Sequence, residues 1–203
     1  MTTTFPRRST DRPVKLVVAG PSDAGKTTLI QTISDATVLF AEREGTTEAD
    51  DGVHSGPTTV AIDLGRIELG EDLSLFLFGT PGQDRLGFVW DVLAEGMLGY
   101  LLVVDASRPS CLPEARRARR HFESLADVPS VIVVNKVERD EERVLAEVKT
   151  ALEVPENVPV LAADVRERAD VKRVLMALLH TVLERLETDP HRSSDHVRTG
   201  DVG

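Results

Sequence analysis

Short apolar runs, most of them rich in β-branched residues, recur at residues 14–19, 73–78, 100–104, 131–134 and 158–162. Such runs, bounded by polar or turn-forming neighbours, are the pattern of strands buried on both faces. Between the later runs the apolar positions change to helical spacing over residues 113–126, 141–152 and 167–186. Strand and helix therefore alternate, which predicts a doubly wound α/β fold with a mainly parallel sheet. Residues 59–69 behave differently: Val60, Ile62, Leu64 and Ile67 are set among polar neighbours, and only Gly70-Glu71-Asp72 separates them from the next run. That is a hairpin signal, and it predicts one antiparallel edge strand joined to the otherwise parallel sheet. Residues 42–57, acidic and carrying Gly45, Gly52 and Gly56, predict an irregular loop, either a solvated connection or a mobile functional segment. The expected organisation is a flexible N-terminus over residues 1–12, one domain over 13–187 and a disordered tail over 188–203.

Composition narrows the ligand class. With 24 basic and 34 acidic residues the formal net charge is -10, which repels a phosphate backbone and predicts no nucleic-acid partner. A nucleoside triphosphate is different, because one lysine, a cation and a few backbone N–H groups can hold it locally on an acidic protein. Cys111 is the only cysteine and cannot form an internal disulfide, and the first residues carry no apolar stretch of the signal-peptide kind. The expectation is a cytoplasmic protein without a direct membrane anchor, reaching a membrane only through a partner.

The strongest chemical signal is Gly20-Pro21-Ser22-Asp23-Ala24-Gly25-Lys26-Thr27, which follows the first apolar run directly and precedes helical spacing at residues 27–34. It matches G-x-x-x-x-G-K-[ST], the phosphate-binding loop of P-loop proteins. Glycines let the backbone wrap phosphates with its N–H groups, and the helix start adds positive potential. The candidate nucleotide-binding residues here are Gly20, Asp23, Ala24, Gly25, Lys26, Thr27 and Thr28, with Lys26 spanning the β- and γ-phosphates and the Thr27 hydroxyl binding Mg²⁺. The bland alternative is a glycine turn carrying an incidental exposed lysine.

Three further segments support a resemblance. Phe78-Gly79-Thr80-Pro81-Gly82-Gln83-Asp84-Arg85 is similar to the D-x-x-G-Q segment that opens switch II in small GTPases, with Gly79 standing where that family has a magnesium-linked aspartate. Thr58-Thr59-Val60-Ala61-Ile62-Asp63-Leu64 resembles the switch I threonine entering its strand, with Thr59 the better alignment and Thr58 the second. Asn135-Lys136-Val137-Glu138 is similar to N-K-x-D, with glutamate replacing aspartate. Thirty residues beyond Asn135, Val165 stands where the family presents a backbone amide to the guanine oxygen. Taken together, residues 14–186 resemble the Ras-like small GTPases, and more narrowly the GTPases of actinobacterial conservon operons.

The resemblance implies a P-loop NTPase fold of small-GTPase type and a regulatory switch that binds GTP or GDP with Mg²⁺ and hydrolyses GTP slowly. By it Gly82 would contact the γ-phosphate, Gln83 would orient the attacking water, Thr59 would join Thr27 at the metal, and Lys26 would assist catalysis. Asn135, Lys136 and Glu138 would read the base. A carboxylate pairs with the two donors of guanine and is repelled by the N1 acceptor of adenine. Implied partners are a Roadblock-type regulator or a GTPase-activating protein, and a sensor-kinase-like protein. Arg43 and Arg85 are the candidates for a stabilising arginine within the chain.

Two rival classes stay open: a non-hydrolysing GTP-binding scaffold, suggested by Gly79, and a P-loop ATPase or kinase, suggested by Glu138. The run Arg116, Arg117, Arg119 and Arg120 reads as a solvated helix face partly offset by Glu114 and Glu123, against an acidic-partner patch. The five histidines show no metal-ligand spacing. Phe88 and Trp90 read equally as core and as partner surface.

Overall fold

The structure, a computed structural model, describes residues 12–43, 59–70, 72–81, 87–138 and 140–188. Its elements in chain order are β1 (Arg12–Ala19), α1 (Lys26–Ile33), β2 (Ala36–Arg43), β3 (Thr59–Leu69), β4 (Leu73–Gly79), α2 (Gly87–Ala94), β5 (Gly99–Asp105), α3 (Leu112–Leu125), β6 (Ser130–Asn135), α4 (Glu141–Ala151), β7 (Val160–Ala162) and α5 (Arg168–Thr188). The strands form one seven-stranded sheet in the order β2-β3-β4-β1-β5-β6-β7. β3 runs antiparallel to both β2 and β4, and every other pairing is parallel.

The α/β fold with a mainly parallel sheet is as the hydrophobic pattern predicts. The structure adds β2, so the antiparallel β3 lies second from the edge and β2 takes the edge itself. Residues 36–43 carry a strand signal in Thr37, Val38 and Phe40 after the Ser34-Asp35 break, but the run is short and sits beside a polar segment. Pairing with β3 from Ala36 opposite Arg66 to Arg43 opposite Thr59 satisfies the backbone groups on its inner side. Of the predicted 42–57 loop, Glu42 and Arg43 belong to β2; residues 44–58 lie outside the described part, as do residues 189–203 of the predicted tail and 1–11 of the N-terminus.

Each central strand feeds two cores, because successive side chains point to opposite faces. Leu16 and Val18 of β1, Leu75 and Leu77 of β4, and Leu101 and Val103 of β5 pack under α1 and α5. Val17, Ala19, Tyr100, Leu102, Ile132 and Val134 face the other way, under α2, α3 and α4. β5 and β6 are buried along their whole length, which is why they read as unbroken apolar runs. Parallel pairing then brings the C-terminal ends of β1, β4, β5, β6 and β7 to one rim of the sheet, where Val18 faces Gly79, Asp105 faces Asn135 and Val134 faces Ala162. In open α/β sheets that rim is where ligands bind.

Candidate functional site

β1 ends at Ala19, and the chain leaves the sheet through two glycines at positive φ, Gly20 (140°) and Gly25 (110°). A Cβ on Gly20 would lie 2.2 Å from the Val103 carbonyl oxygen, and one on Gly25 would lie 2.6 Å from Asn135 Nδ2. The loop is thus wedged between β5 and the end of β6, and only bare Cα atoms fit at these two points. Gly25 is the N-cap of α1, and its carbonyl accepts the first helical hydrogen bond from Leu29 at 2.9 Å. Arg108, just past β5, holds the loop from behind by donating to the Ser22 carbonyl oxygen, with its guanidinium 3.6 Å from Asp23 and 3.7 Å from Asp105.

Lys26 turns back into this loop and is 7% exposed. Its Nζ donates to the carbonyl oxygens of Gly20 (2.8 Å) and Pro21 (2.6 Å). Burial pushes its pKa down to about 8, against the opposing pull of the Glu114, Asp63 and Asp23 carboxylates. A desolvated ammonium partnered by neutral carbonyls is a group that an anion would stabilise. The next residue, Thr27, is exposed, and its Oγ1 donates to the Asp63 carboxylate on β3.

The second half of the site comes from β6 and β7. Asn135 is 3% exposed. Its Nδ2 donates to the Ala24 carbonyl oxygen at 2.9 Å, and its Oδ1 accepts from the Val165 amide at 3.4 Å, so one side chain ties the phosphate loop to the segment after β7. Lys136, at φ 59°, donates to the Asp23 carbonyl oxygen (3.1 Å) and to Asp105 Oδ2 (2.6 Å). Asp105 also accepts from the Ser107 amide and hydroxyl. Burial raises the Asp105 carboxyl pKa, but the bonds from Lys136 and Ser107 outweigh it and hold the group below its ordinary value. Glu138 is exposed at the mouth.

These parts enclose one cavity of about 910 Å³, bounded by Asp23, Gly25, Lys26, Thr27 and Thr28 on one side and by residues 135–138 and 162–166 on the other. Its size is that of pockets that take a nucleotide-sized ligand. The structure therefore gathers Gly20, Asp23, Ala24, Gly25, Lys26, Thr27, Thr28, Asn135, Lys136, Glu138 and Val165 at one rim. The Val165 amide, expected to face a base, is engaged by Asn135. Gly82, Gln83, Thr58 and Arg85 lie outside the described residues, as do the side chains of Thr59 and Arg43. Sequence reasoning missed Asp63, Asp105 and Arg108, which act through contacts between strands and loops distant in the chain.

The residues of the loop fit a nucleotide with a divalent cation: the ammonium and the helix start suit phosphates, and a hydroxyl oxygen suits a hard cation. Among the described residues no three His, Cys, Asp or Glu side chains cluster as a metal site.

Two open readings resolve nearby. Trp90 is buried, stacks on Phe122 with ring centroids 5.8 Å apart, and donates through Nε1 to the Pro81 carbonyl oxygen, so it is core, while the side chain of Phe88 lies outside the described residues. In the arginine-rich helix, Arg116 and Arg120 pair with Glu153 and Arg119 with Glu123, while Arg119 Nε donates to the Leu152 carbonyl oxygen. That helix face is therefore tied to the loop after α4.

Fold and site together define a P-loop nucleotide-binding α/β protein. The chain belongs to the family of conserved hypothetical ATP-binding proteins, whose family model matches residues 40–200, a range that begins beyond the phosphate loop. It is similar to the chloroplastic translation initiation factor IF-2 of Arabidopsis thaliana, 27% identical over 194 residues, covering 91% of this chain and 18% of that protein. It is also similar to the Ras-related protein RABE1d of Arabidopsis thaliana, 29% identical over 191 residues, covering 90% of this chain and 82% of that one. An uncharacterised protein of Methanocaldococcus jannaschii is 35% identical over 125 residues, 62% of this chain and 71% of that protein. The chain thus spans only 18% of the length of the plant initiation factor. Among the described residues no helix is long and apolar enough to cross a membrane.

Proposed function

We propose that the protein is a GTP-binding regulatory switch that hydrolyses GTP slowly. The observation that carries this reading is the shared cavity in which the buried Lys26 ammonium and the Asn135-Lys136-Val137-Glu138 segment meet. In this reading Lys26 and the first-turn amides of α1 hold the phosphates, Thr27 and Thr59 hold Mg²⁺, and Gly82 meets the γ-phosphate. Bound Mg²⁺ supplies neutralisation of phosphate charge. Gln83 orients the attacking water, and Glu138 accepts from the two donors on guanine while Asn135 braces the loop beneath it. One domain over residues 13–187 carries all of these groups. The likeness of the 59–67 and 78–85 segments to conservon GTPases supports a cytoplasmic role beside a Roadblock-type regulator and a sensor-kinase-like protein, which would recruit the switch to the membrane.

An ATP-binding role is the second reading, favoured by the family description and by the extra methylene of Glu138 relative to the guanine-reading aspartate. Titration with fluorescent GDP and ADP in Mg²⁺ separates the two. Tighter GDP binding, lost by about tenfold or more in Lys26→Ala, is the expected result, from the worth of a hydrogen bond to a charged group. Tighter ADP binding removes the GTP reading. In single-turnover assays Gln83→Leu is expected to abolish hydrolysis.

A further inference from the structure

The loop-to-strand contact at Thr27 joins two residues that are 36 apart in the chain. Asp63 and Gly79 sit on neighbouring antiparallel strands, one step beyond the Leu64–Phe78 pair, and therefore face each other. They also share a face. Ile67, Leu75 and Leu77 of these strands pack into the core under α1, and the period of two places residues 63, 65 and 79 on that same side, toward the start of the helix.

Gly79 has no side chain, and the space a Cβ would fill is already taken. That atom would lie 3.1 Å from Asp63 Cβ, 3.3 Å from Asp63 Oδ2 and 2.9 Å from Ile30 Cδ1. The Asp63 carboxylate reaches across the bare Gly79 backbone to Thr27, which donates its hydroxyl proton to it. A hydroxyl has one proton and two lone pairs, so this bond spends the proton and leaves the oxygen lone pairs as ligands. An ionised acceptor on the proton also makes that oxygen a better donor to a hard cation, as partners outside the coordination shell do generally.

We propose that Asp63 is the positioning carboxylate of a divalent-cation site at Thr27, set on β3 opposite Gly79 instead of at the end of β4. It fixes the Thr27 hydroxyl with its lone pairs turned toward the phosphates and adds negative charge behind the cation. Gly79 is then a clearance residue: a side chain there would displace Asp63. The inference rests on the nucleotide-binding reading of the cavity.

The test measures release of a fluorescent GDP from the purified full chain as a function of free Mg²⁺, and separately in EDTA, so that it needs no turnover. Asp63→Asn is nearly isosteric. It is expected to raise the Mg²⁺ concentration for half-maximal retention by about tenfold or more, the usual size of such effects, and not to weaken affinity in EDTA, because one negative charge fewer lies near Lys26. The double variant Asp63→Gly, Gly79→Asp frees the space at position 63, offers a carboxylate from the opposite strand and is expected to bring the half-point back toward that of the parent. An Asp63→Asn protein with the parental Mg²⁺ half-point, or one weakened equally in Mg²⁺ and EDTA, overturns the proposal. A parent that holds GDP equally well in EDTA also overturns it while leaving nucleotide binding intact. A parent that binds no guanine nucleotide removes the underlying reading and this inference with it.

Discussion

Gly20 shows how one missing atom can set a binding loop. Its φ of 140° and the 2.2 Å that would separate an added Cβ from the Val103 carbonyl oxygen act together, since neither the backbone of β5 nor the loop can yield cheaply. Gly20→Ala is therefore expected to lose about 3 kcal/mol or more of stability, combining backbone strain and overpacking. Urea unfolding followed by circular dichroism measures it, and a loss within 0.5 kcal/mol, about the range of ordinary surface substitutions, would contradict the packing described. This residue was legible in the sequence, because a glycine directly after an apolar run and five residues before Gly-Lys-Thr has a recognisable chemical purpose. Asp63 was not. In the sequence it is one polar residue within an alternating stretch, and its partner Thr27 is set by strand pairing and not by spacing.

Among the elements, β5 and β6 do most to shape the rim. Asp105 closes β5, pairs in register with Asn135 and accepts from Lys136, so the two strand ends are latched where the Asn135-Lys136-Val137-Glu138 segment begins. The folded Asp105 carboxyl titrates below its ordinary value of 3.8. The latch therefore contributes stability fully above that value and loses it as pH falls through the lower, folded pKa. Asp105→Asn is expected to flatten this part of the acid-unfolding curve, which thermal melts between neutral and strongly acidic pH would record. An unaltered acid limb would show that the pair adds nothing. The strands themselves were readable from their apolar runs. β2 was missed because its hydrogen bonds, and hence its status as a strand, depend on β3 being beside it.

For the protein as one body, the cavity has walls from both ends of the described chain: the loop between β1 and α1, and the segments after β6 and β7. Asn135 already couples them through Ala24 and Val165. A nucleotide that fills this space is expected to slow amide hydrogen exchange both around residues 20–28 and around residues 162–166. Protection confined to the phosphate loop would mean that the base end takes no part. The alternation of strand and helix, the phosphate loop and the placing of the Asn135-Lys136-Val137-Glu138 segment at the end of β6 could all be read from the linear chain. Periodicity and short motifs are local, and local chemistry dictates them. The placement of Asp63 over Gly79, the Arg108 and Asp105 latches, the burial of Trp90 and the edge position of β2 could not. Each depends on which strands become neighbours, and that is settled by burying two cores at once, a condition that no stretch of sequence satisfies alone.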